Sequence, residues 1–128
     1  MNTKLSTIAA ALALIIGVMA VFAGGRVLLG TVPDYYVIDW LPPYNFAVGV
    51  MTVLVTAILI WTNSHYARSA AIATFIAHVL VMVILLTAYR EVVAPDSLVA
   101  MTVRIIVWTI ILVLMRAAAN NELDGQKA

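Results

Sequence analysis

The chain has 128 residues, of which 65% are hydrophobic and 10% are charged, and none is cysteine. Because so few polar residues cannot cover the surface of a water-soluble globule, the composition predicts an integral membrane protein. A single domain, residues 1–128, is expected. The formal net charge of +1, with the cations scattered along the chain, argues against a nucleic-acid partner, and the lack of cysteine excludes disulfides, thiolate metal sites and thiol redox chemistry.

The first apolar segment, residues 5–23, is long enough to cross a hydrocarbon core of about 30 Å as a helix. Small residues recur along it at alternating steps of four and three, at Ser6, Ala10, Ala13, Gly17, Ala20 and Gly24. Such a small-residue seam lets a neighbouring helix approach closely. We interpret the segment as the first transmembrane helix. The Lys4 start and the Val21-Phe22-Ala23 end leave a cleaved secretory signal as the alternative.

A long connection is expected next, at 26–43, because Gly24-Gly25 should loosen the first helix. Its composition predicts an interfacial segment, with a short helix that starts near Thr31 or Pro33 and is ended by Pro42-Pro43. The aromatic residues expected at the headgroup level are Tyr35, Tyr36 and Trp40.

The second and third spans are predicted at 44–61 and 69–89. At about 100° per residue, one face of the second span is polar or small along its length, through Asn45, Gly49, Thr52, Thr56 and Asn63. This face is interpreted as helix–helix contact, with a polar path for a solute as the alternative. In the third span, His78 lies near mid-depth, where a histidine is either a functional group or a hydrogen-bonded core residue.

The fourth span is predicted at 98–115, followed by a polar, frayed tail at 117–128. It carries Arg104, and a charged side chain at the centre of a span costs about 2.5–3.5 kcal/mol on insertion scales. Arg104 is therefore expected to face the bundle interior and to have a partner there.

The distribution of cations predicts that both termini are cytoplasmic in a bacterial inner membrane. The cations on the side of the termini are Lys4, Arg68, Arg116 and Lys127, against Arg26 and Arg90 in the opposite loops. This orientation places a polar cluster around Arg104 in the outer half, with Arg26, Tyr44, Asn45, Tyr89 and Glu91.

Two interpretations of the cluster are open. In the first, Arg104 pairs with Glu91 or with a loop aspartate, bonds Asn45 and locks the helices together. In the second, the pairing is incomplete and the pocket binds an anionic or polar headgroup, because the planar guanidinium suits carboxylate or phosphate.

Two stretches carry a resemblance to known proteins. They are Leu41-Pro42-Pro43-Tyr44-Asn45-Phe46, with Trp61 closing that span, and residues 96–104 with Trp108. On these stretches the chain resembles small, mostly uncharacterised bacterial four-span inner-membrane proteins, loosely similar to the DoxX-like group. The resemblance implies an all-α four-transmembrane-helix bundle and implies little about activity.

The residues favour a non-catalytic membrane protein, either an accessory subunit or a small binding bundle with a polar pocket around Arg104. The alternative is a small oligomeric transporter or channel that uses the Asn45, Thr52 and Thr56 face together with His78. An enzyme ranks third, because the spans hold no paired carboxylates and no metal-ligand spacing. No cofactor and no metal are expected, and the expected partners are membrane lipid and either a second copy or a larger membrane complex.

Overall fold

The computed structural model describes residues 3–127, and within them the chain is helical without strands. Four helices form: α1 at Thr3–Leu28, α2 at Leu41–Trp61, α3 at Ala67–Thr87 and α4 at Pro95–Lys127. Each is long and apolar enough to cross a membrane. The prediction of an all-helical bundle with four apolar helices is therefore confirmed. Met1, Asn2 and Ala128, which the single-domain prediction also covers, lie outside the described residues.

Helix α1 runs through Gly24-Gly25 to Leu28, so the expectation that these glycines loosen the helix is wrong. The chain instead leaves the helix at Gly30, whose φ of 106° is accessible to glycine at little cost. The Gly30 N–H donates to the Val27 carbonyl and the Thr31 N–H donates to the Arg26 carbonyl. These two bonds form a Schellman motif, which satisfies the last carbonyls of α1.

The connection between α1 and α2, residues 29–40, contains no helix. Pro42 and Pro43 lie in the first turn of α2, so the prediction that they end an interfacial helix is wrong. Proline lacks a backbone N–H, and the first turn of a helix has no intrahelical acceptor for one, so proline begins a helix more readily than it continues one.

Helix α3 ends at Thr87, which leaves Tyr89 in the turn before α4. Helix α4 starts at Pro95 and continues through residues 117–127, so the described part of the predicted tail is helical rather than frayed. Its 33 residues span about 50 Å, which exceeds a hydrocarbon core of about 30 Å. Ala118 is fully buried, which gives the helix a packing contact beyond the predicted end of the span.

The packing order around the bundle is α1, α2, α3, α4. Helix α1 packs most extensively against α2 and also against α4, while α3 packs against α4 and touches α2. Helices α2 and α4 therefore lie on one diagonal of the bundle.

Two hydrophobic cores fill the bundle. The first core combines small residues of α1 with large side chains of α2 and α4, including Ile60, Trp108 and Ile111. The second core lies where the connection meets α3 and α4, and its buried members are Ile38, Leu41, Val81, Leu85 and Met101.

The α1–α2 interface is built on backbone contact. A Cβ added to Gly49 would lie 2.6 Å from the Val21 nitrogen and 2.8 Å from the Gly17 carbonyl oxygen. A Cβ on Gly24 would lie 2.6 Å from the Phe46 nitrogen. All six members of the predicted small-residue seam are buried, so the prediction that this face of α1 packs inward is confirmed.

The C-terminal end of α2 is closed by local hydrogen bonds. Asn63 has a φ of 54°, and bonds from the Asn63 and Ser64 N–H groups to the Ile60 and Leu59 carbonyls close the helix. Ser6 of α1 lies 2.6 Å from the Asn63 side-chain oxygen and 3.1 Å from the Ile60 carbonyl oxygen. Within α2, Thr52–Thr56 form a π-helical turn, a feature that often accompanies functional sites.

Candidate polar site around Arg104

Arg104 faces the interior of the bundle. Its side chain is only 5% exposed, which confirms the expectation drawn from its position in an apolar span. The guanidinium Nη1 donates a hydrogen bond to the Asn45 side-chain oxygen. Because Arg104 lies on α4 and Asn45 on α2, this bond joins the two helices that face each other across the bundle.

No carboxylate neutralises Arg104 among residues 4–127. The expected pairing with Glu91 or with a loop aspartate is absent, since Asn45 is its one hydrogen-bond partner there. Glu91, Asp34 and Asp39 are all exposed. Glu91 lies in the α3–α4 turn, where water solvates a carboxylate at less cost than a buried ion pair requires. The side-chain amide of Asn45 therefore holds the buried guanidinium, and no carboxylate among the described residues compensates its positive charge.

A second hydrogen bond lies beside the first. The Tyr44 hydroxyl of α2 and the His78 Nδ1 of α3 are 2.9 Å apart, and the tautomer of the imidazole decides which of them donates. His78 is 2% exposed, and its ring centroid lies 6.5 Å from the indole of Trp108. Arg104 is close enough to interact electrostatically with both Tyr44 and His78.

We call the four residues Tyr44, Asn45, His78 and Arg104 the polar cluster. Its members come from three helices, and each hydrogen bond joins α2 to another helix. Tyr44 and Asn45 are adjacent in the first turns of α2, so one short stretch of backbone supplies a partner to each of the other two helices.

A cavity of about 60 Å³ adjoins the cluster. It lies between α1, the 29–40 connection, the start of α2 and the start of α4, and it is partly open. Its lining residues are Ala23, Val27, Tyr35, Val37, Leu41, Pro42, Asn45, Asp96, Ser97, Ala100, Met101 and Arg104. A volume of about 10–15 Å³ on this measure holds one water molecule, so the cavity has room for several waters or a small polar group.

Besides Glu91, two members of the sequence-predicted cluster lie elsewhere. Arg26 is exposed, and its guanidinium carbon lies 5.8 Å from the centroid of the Phe22 ring. Tyr89 packs edge-on against Trp40, with ring centroids 5.8 Å apart, next to the second core. Neither residue lines the cavity. Both were placed by depth alone, and depth does not specify which way a side chain points around its helix.

The residues of the predicted polar path are buried but are not joined into a chain. Thr52 is 2% exposed and donates to the Val48 carbonyl of its own helix, at 2.7 Å. Thr56 is 4% exposed. His78 belongs to the polar cluster and packs against Trp108, which is fully buried.

Three polar residues of the cavity wall are not among the predicted site residues: Tyr35, Asp96 and Ser97. A signal for Ser97 exists in the sequence, because it precedes Arg104 by seven positions, the spacing of two helical turns. Asp96 lies at the depth expected from the sequence, in the predicted outer half with the arginines, and its place in the first turn of α4 offers it a local role as well. Tyr35 lies in an irregular segment, where no periodicity indicates direction.

The chemistry available in the site is recognition rather than bond making. Among residues 4–127, no group of three histidine, cysteine or carboxylate side chains could hold a metal ion. A guanidinium offers several N–H donors in a planar fork, and Asn45 accepts from one of its nitrogens. Arg104 makes no other hydrogen bond within the described chain, and it lines the cavity, which has room for a small polar group.

No protein-family model matches the chain, and searches of curated proteins and of solved structures find no match either. The class is thus defined by the architecture alone. The chain is a bundle of four helices long and apolar enough to span a membrane, with a buried arginine–asparagine contact beside a small cavity.

Proposed function

We propose that this protein is a non-catalytic integral membrane protein of the bacterial inner membrane that acts as a small binding bundle. Its cavity beside Arg104 binds an anionic group, a carboxylate or a phosphate, of a membrane-associated ligand. In this proposal both termini are cytoplasmic and the cavity lies in the outer half of the membrane, which the excess of lysine and arginine on the side of the termini supports. An accessory subunit of a larger complex would use the same cavity against a partner.

One observation carries the proposal: a buried arginine without a carboxylate lines a cavity. A buried cation is costly unless its charge is compensated and its donors are bonded. Asn45 supplies an acceptor but no negative charge. An anion in the cavity would supply both, and the planar guanidinium fork suits carboxylate or phosphate oxygens.

The likeness to the DoxX-like group stays a prediction that rests on the two sequence stretches alone. It agrees with a four-helix membrane bundle and adds no ligand. The evidence for the proposed function therefore lies in Arg104 and the residues around it.

Native mass spectrometry of the detergent-purified protein with lipids retained tests the proposal. Wild type should carry a bound phospholipid or another anionic molecule, and Arg104→Gln should reduce its occupancy about tenfold, since a hydrogen bond to a charged group contributes about 1.5–3 kcal/mol. Arg26→Gln is the matched control, because it removes an exposed arginine outside the cavity.

A second variant guards against misfolding of Arg104→Gln, which thermal unfolding in detergent would reveal. Ala100→Leu adds side-chain volume to the cavity wall at an exposed position and leaves Arg104 in place. It should also lower the occupancy. Equal occupancy in wild type, Arg104→Gln and Ala100→Leu would overturn the proposal.

The alternative function is an oligomeric transporter or channel that uses Asn45, Thr52, Thr56 and His78. The burial of the two threonines and the π-helical turn that contains them favour it. The packing of Trp108 against His78 argues against a passage through one copy. The same mass spectra report the copy number, which the oligomeric alternative requires to be greater than one. A monomer would count against this alternative.

A further inference from the structure

Two opposite charges line the cavity without being paired to each other. Arg104 and Asp96 are both wall residues, both on α4. Within the described chain, the Asp96 carboxylate has no hydrogen bond or ion pair, and Arg104 bonds only Asn45. The cavity therefore presents a cation and an anion to whatever it holds. Resting on the proposed function, we propose that the ligand is zwitterionic, with its anionic group on Arg104 and an ammonium group facing Asp96.

Helix geometry supports this arrangement. Asp96 and Arg104 are eight positions apart, which is about 12 Å along a helix that rises about 1.5 Å per residue. Side chains on a helix tilt toward its N-terminus, so the long arginine side chain extends from position 104 toward the start of α4. The separation of the two charges is therefore shorter than that of their backbone positions. Ser97 and Ala100, also in the wall, lie between them.

Charge matching selects the ligand class. An anion without a compensating ammonium would bring its negative charge beside Asp96, and like charges at close range repel. A ligand that carries only a positive charge would be repelled by Arg104. A zwitterion satisfies both ends of the cavity, so Asp96 discriminates against the simple anion by repulsion, a common way for a site to gain specificity.

The two charged residues contribute unequally. Arg104 is buried, so its interactions are only weakly screened, whereas Asp96 is exposed to solvent. Arg104 supplies most of the affinity and Asp96 the preference. An exposed charge pair of this kind corresponds to about a two- to fivefold change in affinity.

The shared chemistry, a phosphate or carboxylate joined to an ammonium group, has two sources. One is the headgroup of a lipid such as phosphatidylethanolamine, and the other is a free zwitterion. The lipid-facing exterior and the opening of the cavity among helix ends are compatible with both, so the experiment includes one probe for each.

Thermal-unfolding titrations of the full-length protein in detergent provide the test. The probes are dihexanoyl phosphatidylethanolamine, dihexanoyl phosphatidylglycerol and soluble glycerophosphoethanolamine. Wild type should bind the ethanolamine lipid about two to five times more tightly than the glycerol lipid. Asp96→Asn should abolish this preference, because it weakens binding of the ethanolamine lipid and removes the repulsion that weakens binding of the glycerol lipid.

Controls separate this inference from the proposed function. Asp39→Asn neutralises an exposed carboxylate outside the cavity and should preserve the preference. Equal binding of both lipids by wild type, unchanged in Asp96→Asn but lost in Arg104→Gln, would overturn the zwitterion inference and leave the anion site standing. Binding unaffected by Arg104→Gln would overturn both. Binding of glycerophosphoethanolamine with the same Asp96 dependence supports a free zwitterion, and binding of the lipid alone supports a headgroup.

Discussion

The α1–α2 interface and the α2–α4 diagonal use the same helix in opposite ways. Against α1, glycines bring the two backbones so close that a Cβ added to Gly49 would lie 2.6 Å from the Val21 nitrogen. Across the diagonal, a long arginine reaches Asn45 beside about 60 Å³ of open space. The first contact consists of van der Waals packing and the second of a charge-assisted hydrogen bond.

This difference separates stability from binding. A contact without side chains cannot rearrange around a ligand, because any added atom meets backbone. A contact made by a long side chain next to a cavity can accept a ligand without moving a helix. We therefore expect substitutions at the glycine interface to affect folding, and substitutions at the diagonal to affect binding as well. Four substitution experiments, from the largest expected effect to the smallest, test this difference between the two contacts.

Gly49→Ala should destabilise the protein most, by about 3 kcal/mol or more, at or above the usual range for overpacking. The new Cβ would lie 2.6 Å from the Val21 nitrogen, and a backbone atom cannot swing away as a side chain can. Unfolding in detergent measures the loss. Gly125→Ala is the control, because a Cβ there meets open space and should be neutral or stabilising. Wild-type stability of Gly49→Ala would contradict the close packing of α1 on α2.

Asn45→Leu should cost about 1.5–3 kcal/mol, because it leaves the buried Arg104 guanidinium without its acceptor. Arg104→Met should cost less, since it leaves only a partly buried amide unpaired. The double variant should recover part of the Asn45→Leu loss. Equilibrium unfolding of the three variants forms a double-mutant cycle. A larger loss for Arg104→Met than for Asn45→Leu would contradict the view that the uncompensated charge is the costly partner.

Tyr44→Phe should cost about 0.5–1.5 kcal/mol, the contribution of one neutral hydrogen bond. It removes the 2.9 Å contact with His78 Nδ1 while preserving the aromatic ring. Nitrogen NMR of the His78 imidazole is the sharper measurement, because loss of the phenol should change the Nδ1 resonance. An unchanged resonance would show that the two groups are not bonded.

Thr52→Val should change stability least, by less than about 0.5 kcal/mol, because the hydroxyl bonds the carbonyl one turn earlier in its own helix. Valine also keeps a methyl group against Gly17. Solute flux in proteoliposomes is the companion measurement. A loss of flux with unchanged stability would favour the transporter alternative over the binding bundle.

Several features could be read from the sequence because they depend on periodicity within one segment. Arg104 had to face inward, since an apolar span offers a guanidinium no other tolerable environment. The small-residue seam of α1 had to face protein for an equally local reason. The ends of the helices were harder to predict, because glycine and proline can lie inside a helix, at its start or after its end. Packing decides which of these positions Gly24 and Pro42 take.

The partners within the site could be read only in part. Depth suggested Asn45, Glu91, Arg26 and Tyr89 for Arg104; the predicted contact with Asn45 is confirmed, and the bundle leaves the other three outside the cavity. The pairing of Tyr44 with His78 and the position of Asp96 beside Arg104 likewise depend on how α2, α3 and α4 are rotated against one another.

The sequence by itself therefore determined four apolar helices, a polar or small face on the second span and the inward direction of one arginine. Only the tertiary structure decided which faces meet, which of the expected partners the arginine has and where a cavity is left beside it. The physical reason is that helical periodicity orients a side chain about its own axis, whereas partners are set by the rotation and spacing of separate helices, as the close glycine contacts of α1 and α2 illustrate.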